Sequence, residues 1–189
     1  PKRLILRRSH HGRQVGLGKQ TEARIQQAAF TAGVPTPEVF FILDDADGLG
    51  DGYVMASVEG ETIARRILRD ELYTKARPLM AAQCGSILQR IHAIDPAAFT
   101  DLKRQSTNDQ VQSLQQRFDN FGQQLPVFEV AFRWLFDHVP ARREAALLHG
   151  DFRNGNFIVG PDGIRAVIDW ELAHLGDPME DLGWLCVTS

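Results

Sequence analysis

The residues best placed for chemistry are His149-Gly150-Asp151-Phe152-Arg153-Asn154-Gly155-Asn156, followed by Ile168-Asp169-Trp170-Glu171. Transfer of a phosphoryl group needs little covalent work from a protein. It needs positioning, a divalent cation to neutralise spreading charge, and a carboxylate near the attacking hydroxyl. Asp151 follows an apolar pair and can face an acceptor hydroxyl. Asn156, five residues on, can return a neutral oxygen toward the same place. Asp169 ends the next apolar run and can bridge a cation to phosphates. Hard oxygen ligands of this kind suit magnesium. Arg153 supplies positive charge against the transferring group. A single Asp or Asn beside glycine is ordinarily a turn residue; the joint pattern is what carries the signal. His149 reads as a structural residue that fixes the loop.

These residues need elements to hold them. Leu4-Ile5-Leu6 reads as a strand ending in Arg7 and Arg8. From Thr21, which can cap a helix, Ile25, Ala28, Ala29 and Ala32 recur on one face, and Gly33 ends the helix. Strands are expected near Val39–Leu43 and Tyr53–Val58, joined by an Asp- and Gly-rich turn. After Glu59-Gly60-Glu61 the pattern becomes mostly helical. We expect helices from Pro78 to Ile94 (Leu79, Cys84, Ile87, Leu88 and Ile91 inward), Asn108 to Phe121 and Phe128 to His138. Short strands follow at Leu147-Leu148, Phe157–Val159 and Ile164–Ile168, the last two joined at Gly160-Pro161-Asp162-Gly163, and Pro178 opens a final helix. The expected fold class is α+β, with a division into residues 1–58, a small antiparallel sheet with one helix, and 59–189, a larger helical part carrying the catalytic and cation-binding loops.

The bulk numbers exclude more than they identify. The chain has 189 residues, 43% hydrophobic and 24% charged, with a net charge of -3. That is ordinary globular composition. The charge gives no reason to expect nucleic acid as a partner. The longest apolar runs, such as Val39–Leu43, are too short for a membrane helix. Two cysteines, Cys84 and Cys186, favour buried free thiols in a reducing cytoplasm. The ends read as those of a piece cut from a longer polypeptide. Gly16-Leu17-Gly18-Lys19 fails as a phosphate-binding loop, because Arg13 stands where the first glycine belongs and no Ser or Thr follows Lys19. Gly12 to Gly18 reads as a mobile connector. His10 and His11 lack a second pair of ligands and read as exposed, and Arg142-Arg143-Glu144 as a solvated helix end. Trp134, Trp170 and Trp184 read as core.

The segment from His149 to Asp181 resembles the aminoglycoside phosphotransferase and choline kinase superfamily, small-molecule kinases with a protein-kinase-like two-lobe fold. Leu-Leu-His-Gly-Asp-Phe-Arg-Asn-Gly-Asn, Ile-Asp-Trp-Glu and Gly176-Asp177-Pro178-Met179-Glu180-Asp181-Leu182 carry the resemblance. It is nearest to the branch related to kinase-like domains fused to acyl-CoA dehydrogenases. The resemblance implies that Asp151 is the catalytic base or orients the hydroxyl. Arg153 matches the catalytic-loop lysine of protein kinases, and Asn156 and Asp169 hold magnesium. Arg7 matches the strand lysine that faces nucleotide phosphates, and Glu22 the acid that pairs with it. Met55 lines an adenine pocket whose edge meets the backbone of Ala56 and Val58. Glu171 stands where protein kinases carry glycine, which favours a small-molecule kinase.

The implied activity is ATP-dependent transfer to a hydroxyl of a small molecule, with GTP as another donor. Antibiotic, choline-like, sugar-like and hydroxyacyl-CoA acceptors stay open, and the nearest branch tilts toward hydroxyacyl-CoA or another metabolite. The alternative is an inactive nucleotide-binding regulatory module of the same fold, against which the intact Asp151, Asn156 and Asp169 speak. A metal-dependent hydrolase lacks the extra His or Cys ligands it would need. Oligomeric state is not readable.

Overall fold

Strands β1 (Leu4–Arg8), β2 (Val39–Ile42) and β3 (Gly52–Ala56) form an antiparallel sheet in the order β1-β3-β2, with Arg7 opposite Tyr53. This computed structural model describes residues 3–9, 16–123, 125–140 and 144–187. His10, His11, Arg142 and Arg143 lie outside them. Helix α1 (Lys19–Thr31) packs on the sheet. Its buried face is not the one the alanine spacing suggests. Ala32 is exposed, and the buried set is Lys19, Glu22, Ala23, Ile25, Gln26 and Ala29. Three of these are polar, so the helix turns a charged stripe inward. Thr21 does not cap α1. The helix begins two residues earlier, and Asp51, from the turn between β2 and β3, accepts the Lys19 N–H at 2.9 Å. β3 stops at Ala56, leaving Ser57 and Val58 outside the ladder.

Beyond the sheet come α2 (Ala64–Arg69), α3 (Arg77–His92), α4 (Thr107–Asn120), α5 (Pro126–Asp137) and α6 (Met179–Cys186). Strands β4 (Ala146–Leu148) and β7 (His174–Gly176) pair antiparallel, as do β5 (Phe157–Gly160) and β6 (Gly163–Val167). The sequence pattern gave no sign of α2 or β7: each is short, and β7 follows a one-turn 3-10 helix at Trp170–Leu172. Ser106 and Asp109 form a reciprocal cap at the start of α4, and the Ser106 donors hold the Asp109 carboxyl below its usual range.

The core joins α1, α3 and both two-stranded ladders. Ile25, Cys84, Ile87, Leu88, Ile91, Leu147, Phe152, Phe157, Val167, Trp170 and Leu175 form one buried cluster. Each fully buried large side chain contributes about 1.5–3 kcal/mol. Leu79 is half exposed, as are Trp134 and Trp184, so Trp170 alone of the three tryptophans is core. Cys84 is buried and its thiol pushed up to about 11 by that burial, whereas Cys186 is exposed; both are free. Trp134 stacks on His138 instead, at 4.2 Å. Among the described residues no helix is long and apolar enough to cross a membrane.

The connector Val34–Pro37 is stitched to the end of β6. Val167 N–H donates to Pro35 O at 2.7 Å, Thr36 Oγ1 donates to Val167 O at 2.8 Å, and Trp170 Nε1 donates to Thr36 Oγ1 at 3.3 Å. These bonds fix the chain on both sides of Asp169.

Candidate functional site

His149 leaves β4 fully buried. Its Nε2 lies 3.1 Å from Ile168 O, and Asp151 N–H donates to its Nδ1 at 3.3 Å. This is the pattern of a neutral imidazole that donates at Nε2 and accepts at Nδ1. Burial accordingly lowers its pKa, despite the nearby carboxylate of Asp181. Gly150 has φ +80°, and a Cβ there would lie 2.2 Å from Leu172 O, so only glycine lets the loop pass this close to the segment after Asp169.

The loop then presents Asp151 with each carboxylate oxygen held by one donor. Arg153 Nε donates to Oδ1 at 2.8 Å, and Asn156 Nδ2 donates to Oδ2 at 2.7 Å and to Asp151 O at 2.9 Å. The Asn156 amide nitrogen is thus committed, and its oxygen has no hydrogen-bond partner among the described residues. Ile168 N–H donates to Asn156 O at 2.9 Å, which sets Asp169 beside Asn156 at the open end of the β5–β6 hairpin. Asp169 has φ +72°, alone among the described non-glycine residues in the left-handed region. Held strain of this kind concentrates at functional sites.

Arg7 reaches this loop from β1. Its guanidinium bonds to Asp169 Oδ1, sits 3.5 Å from Glu171 Oε2, and brings Nε to 2.7 Å from Glu22 Oε1. The Glu22 contact is an ion pair without hydrogen-bond alignment, since Nε–H makes no bond. Burial works to lower the Arg7 pKa, but Glu22, Tyr53 and Asp169 outweigh it and the net shift is upward. Glu22 is fully buried and also accepts from Tyr53 Oη at 3.0 Å. Met55 is buried and takes a 3.5 Å contact from Gln26 Nε2. The Ala56 N–H is committed to Glu38 O at 2.8 Å and the Ser57 N–H to Arg3 O at 3.1 Å. An adenine edge at this strand end would therefore have to use Ala56 C=O and Val58 N–H.

Four residues of the site were given no contact there by the sequence reading. Asp181, fully buried at the start of α6, accepts His149 N–H at 3.0 Å and Gly150 N–H at 2.9 Å, and lies 2.9 Å from His92 Nε2. Lys19 pairs with Glu22, Glu171 pairs with Arg7, and Tyr53 closes the cluster. The Lys19–Glu22 spacing of three on one helix was a usable signal; Asp181 lies in the Gly176–Leu182 stretch, where the sequence shows no partner for it. Of the stretch Gly12 to Gly18, residues 12–15 lie outside the described residues, and at its end Leu17 N–H donates to Glu171 O at 2.9 Å, which ties it to the site.

The donor set fits magnesium. Among the described residues no group of three or more His, Cys, Asp or Glu is arranged for a metal. Magnesium keeps most of its waters and takes one or two carboxylates. Asp169, already facing a cationic guanidinium, and the unpartnered Asn156 oxygen meet that need. A cavity of about 880 Å³ lies elsewhere: Ala145, Leu175, Gly176 and Asp177 line it, at the end of the β4–β7 ladder away from Asp151.

Behind the loop, His174 Nε2 lies 3.0 Å from Glu180 Oε2 and Nδ1 lies 2.9 Å from Leu172 O. Burial pulls its pKa down, but the Glu180 and Leu172 contacts outweigh it, and the net shift is upward. A base with a raised folded-state pKa contributes stability below its unfolded value, and that contribution fades as pH rises through the folded value. The melting temperature of wild type should therefore exceed that of His174→Gln most below about pH 6.5. The gap should narrow at alkaline pH; a gap that widens instead contradicts this pairing.

A small sheet with one helix, followed by helices around a strand–loop–hairpin, is the protein-kinase-like α+β architecture. The phosphotransferase enzyme family (APH) matches residues 1–189, and the chain belongs to that family. It is 29% identical to acyl-CoA dehydrogenase family member 10 of Mus musculus, over 98% of this chain and 18% of that protein. It is likewise 29% identical to acyl-CoA dehydrogenase family member 11 of Gallus gallus, over 95% of this chain and 24% of that protein. The chain thus spans about a fifth of these relatives. Among solved structures it resembles a Ralstonia eutropha JMP134 protein of aminoglycoside-phosphotransferase type (TM-score 0.74, 23% identity, 89% of this chain and 54% of that one). It also resembles a choline/ethanolamine kinase family protein from Mesorhizobium loti (0.64, 24%, 96% and 57%). A third is aminoglycoside phosphotransferase APH(3'')-Id from Streptomyces rimosus, in complex with ADP and streptomycin (0.57, 19%, 88% and 64%).

Proposed function

We propose that this chain transfers the terminal phosphoryl group of ATP, or of GTP, to a hydroxyl of a small molecule. Residues 1–58 serve the nucleotide and residues 59–189 the acceptor and the catalytic loops. The observation that supports this most is the reach of Arg7 from β1 to Asp169, which joins a phosphate-seeking cation to the segment whose Ile168 N–H bonds to Asn156. Asp151, gripped on both oxygens, accepts the hydroxyl proton and aims the oxygen. Arg153 fixes the orientation of Asp151 through its Nε–H bond to Oδ1 and faces the transferring group. Asn156 and Asp169 hold magnesium, which when bound spreads the phosphate charge. Arg7, positioned by Glu22, turns to the phosphates. Ala56 C=O and Val58 N–H meet the adenine edge, and Met55 lines its pocket.

For the acceptor we propose a hydroxyacyl-CoA. The curated relatives carry acyl-CoA dehydrogenase names. Helix α5 exposes Val127, Val130 and Trp134, which suits an acyl chain better than a polycationic antibiotic. The test is an ATP-consumption assay with magnesium against a panel of hydroxyl compounds that includes hydroxyacyl-CoAs, with product phosphate located by mass spectrometry. Transfer to a hydroxyl supports the reading. Nucleotide binding without transfer to any member would favour the inactive module.

A further inference from the structure

Lys19 is placed against two rules. It is the first residue of α1, where the helix dipole repels a cation, and it is 7% exposed, where an ammonium loses its hydration. Local rules broken in this way point to use at a site. Its Nζ lies 2.5 Å from Glu22 Oε2 and 3.6 Å from Glu171 Oε2. The fully buried Glu22 therefore holds two cations, Lys19 on one oxygen and Arg7 on the other. Arg7 in turn faces three carboxylates: Glu22, Asp169 and Glu171. If Arg7 were the sole partner of Glu22, moving the guanidinium toward phosphate would strand a buried negative charge, which is costly.

We propose that Lys19 is a positioning residue of the nucleotide-phosphate site. It neutralises Glu22 and so releases Arg7 to engage phosphate. This rests on the nucleotide reading of the site given above. Glu171 completes the device from the other side, since its carboxylate approaches both cations while its carbonyl accepts Leu17 N–H and fastens the start of α1. Without Lys19, the guanidinium is held to Glu22 and its hold on phosphate weakens.

The test is titration calorimetry with ADP and magnesium on wild type, Lys19→Met and Lys19→Arg, with circular dichroism to confirm folding. Lys19→Met should raise Kd about tenfold, the scale of one charge-assisted contact, and Lys19→Arg should recover most of the loss. KM for the nucleotide should rise in step with Kd, with the smaller loss in kcat. In a Glu22→Gln background, where no buried charge remains to neutralise, Lys19→Met should change Kd less than about twofold. Should Lys19→Met not fold, Lys19→Gln gives the same comparison. Equal Kd for wild type and Lys19→Met, with only the melting temperature lowered, would overturn the inference and leave the proposed function standing. A wild type that binds no nucleotide would overturn both.

Discussion

Asp151→Asn lowers kcat for phosphoryl transfer by about 1,000-fold, the scale of a lost general base, while nucleotide Kd changes little. The carboxylate accepts from Arg153 Nε on one oxygen and from Asn156 Nδ2 on the other. A carbamoyl group has a single acceptor oxygen. Whichever way it turns, its NH2 meets one of these donors, so a modest stability loss of about 1–2 kcal/mol accompanies the activity loss. Steady-state kinetics beside a urea melt separates the two effects. Retained turnover in Asp151→Asn would remove the residue from the chemistry.

The second large effect lies off the cleft. Asp181→Ala should cost about 3–5 kcal/mol and most of the turnover. The carboxylate is fully buried and takes the backbone N–H groups of His149 and Gly150, the two residues that precede Asp151. Its removal strands both donors and leaves His92 without its partner. An unpaired buried donor costs about 1–3 kcal/mol, and the tight turn at Gly150 loses the anchor that holds it. Asp181→Asn, with one acceptor oxygen in place of two, should fall between wild type and the alanine variant. Chemical denaturation and kcat measured together check this; an Asp181→Ala protein with wild-type turnover contradicts the positioning role.

The loop and hairpin that carry the candidate site residues were legible because their information is local. Asp151, Asn156 and Asp169 lie within one β4–loop–β5–β6 unit, and spacing alone puts them near each other. Cys84, Ile87, Leu88 and Ile91 were legible on α3 because a buried stripe at helical spacing needs no partner to be seen. The charged face of α1 was not. Lys19, Glu22 and Gln26 look solvated on a helical wheel, and they are buried because β1, β3 and the Trp170–Leu172 turn bring Arg7, Tyr53 and Glu171 against them. Asp181 escaped for the same reason: its partners sit 31 or more residues away. Trp134 and Trp184 misled because tryptophan is apolar enough for a core yet is left half exposed here.

On the proposed function, Asp169 and Asn156 hold one divalent cation against a nucleotide beside Asp151. The most direct measurement is electron paramagnetic resonance of Mn²⁺ titrated with the protein and a non-hydrolysable ATP analogue. Wild type should bind the cation in a nucleotide-dependent way, and Asp169→Ala should lose that binding while keeping its fold by circular dichroism. Nucleotide-dependent Mn²⁺ binding of equal strength in Asp169→Ala would contradict a cation held by Asp169.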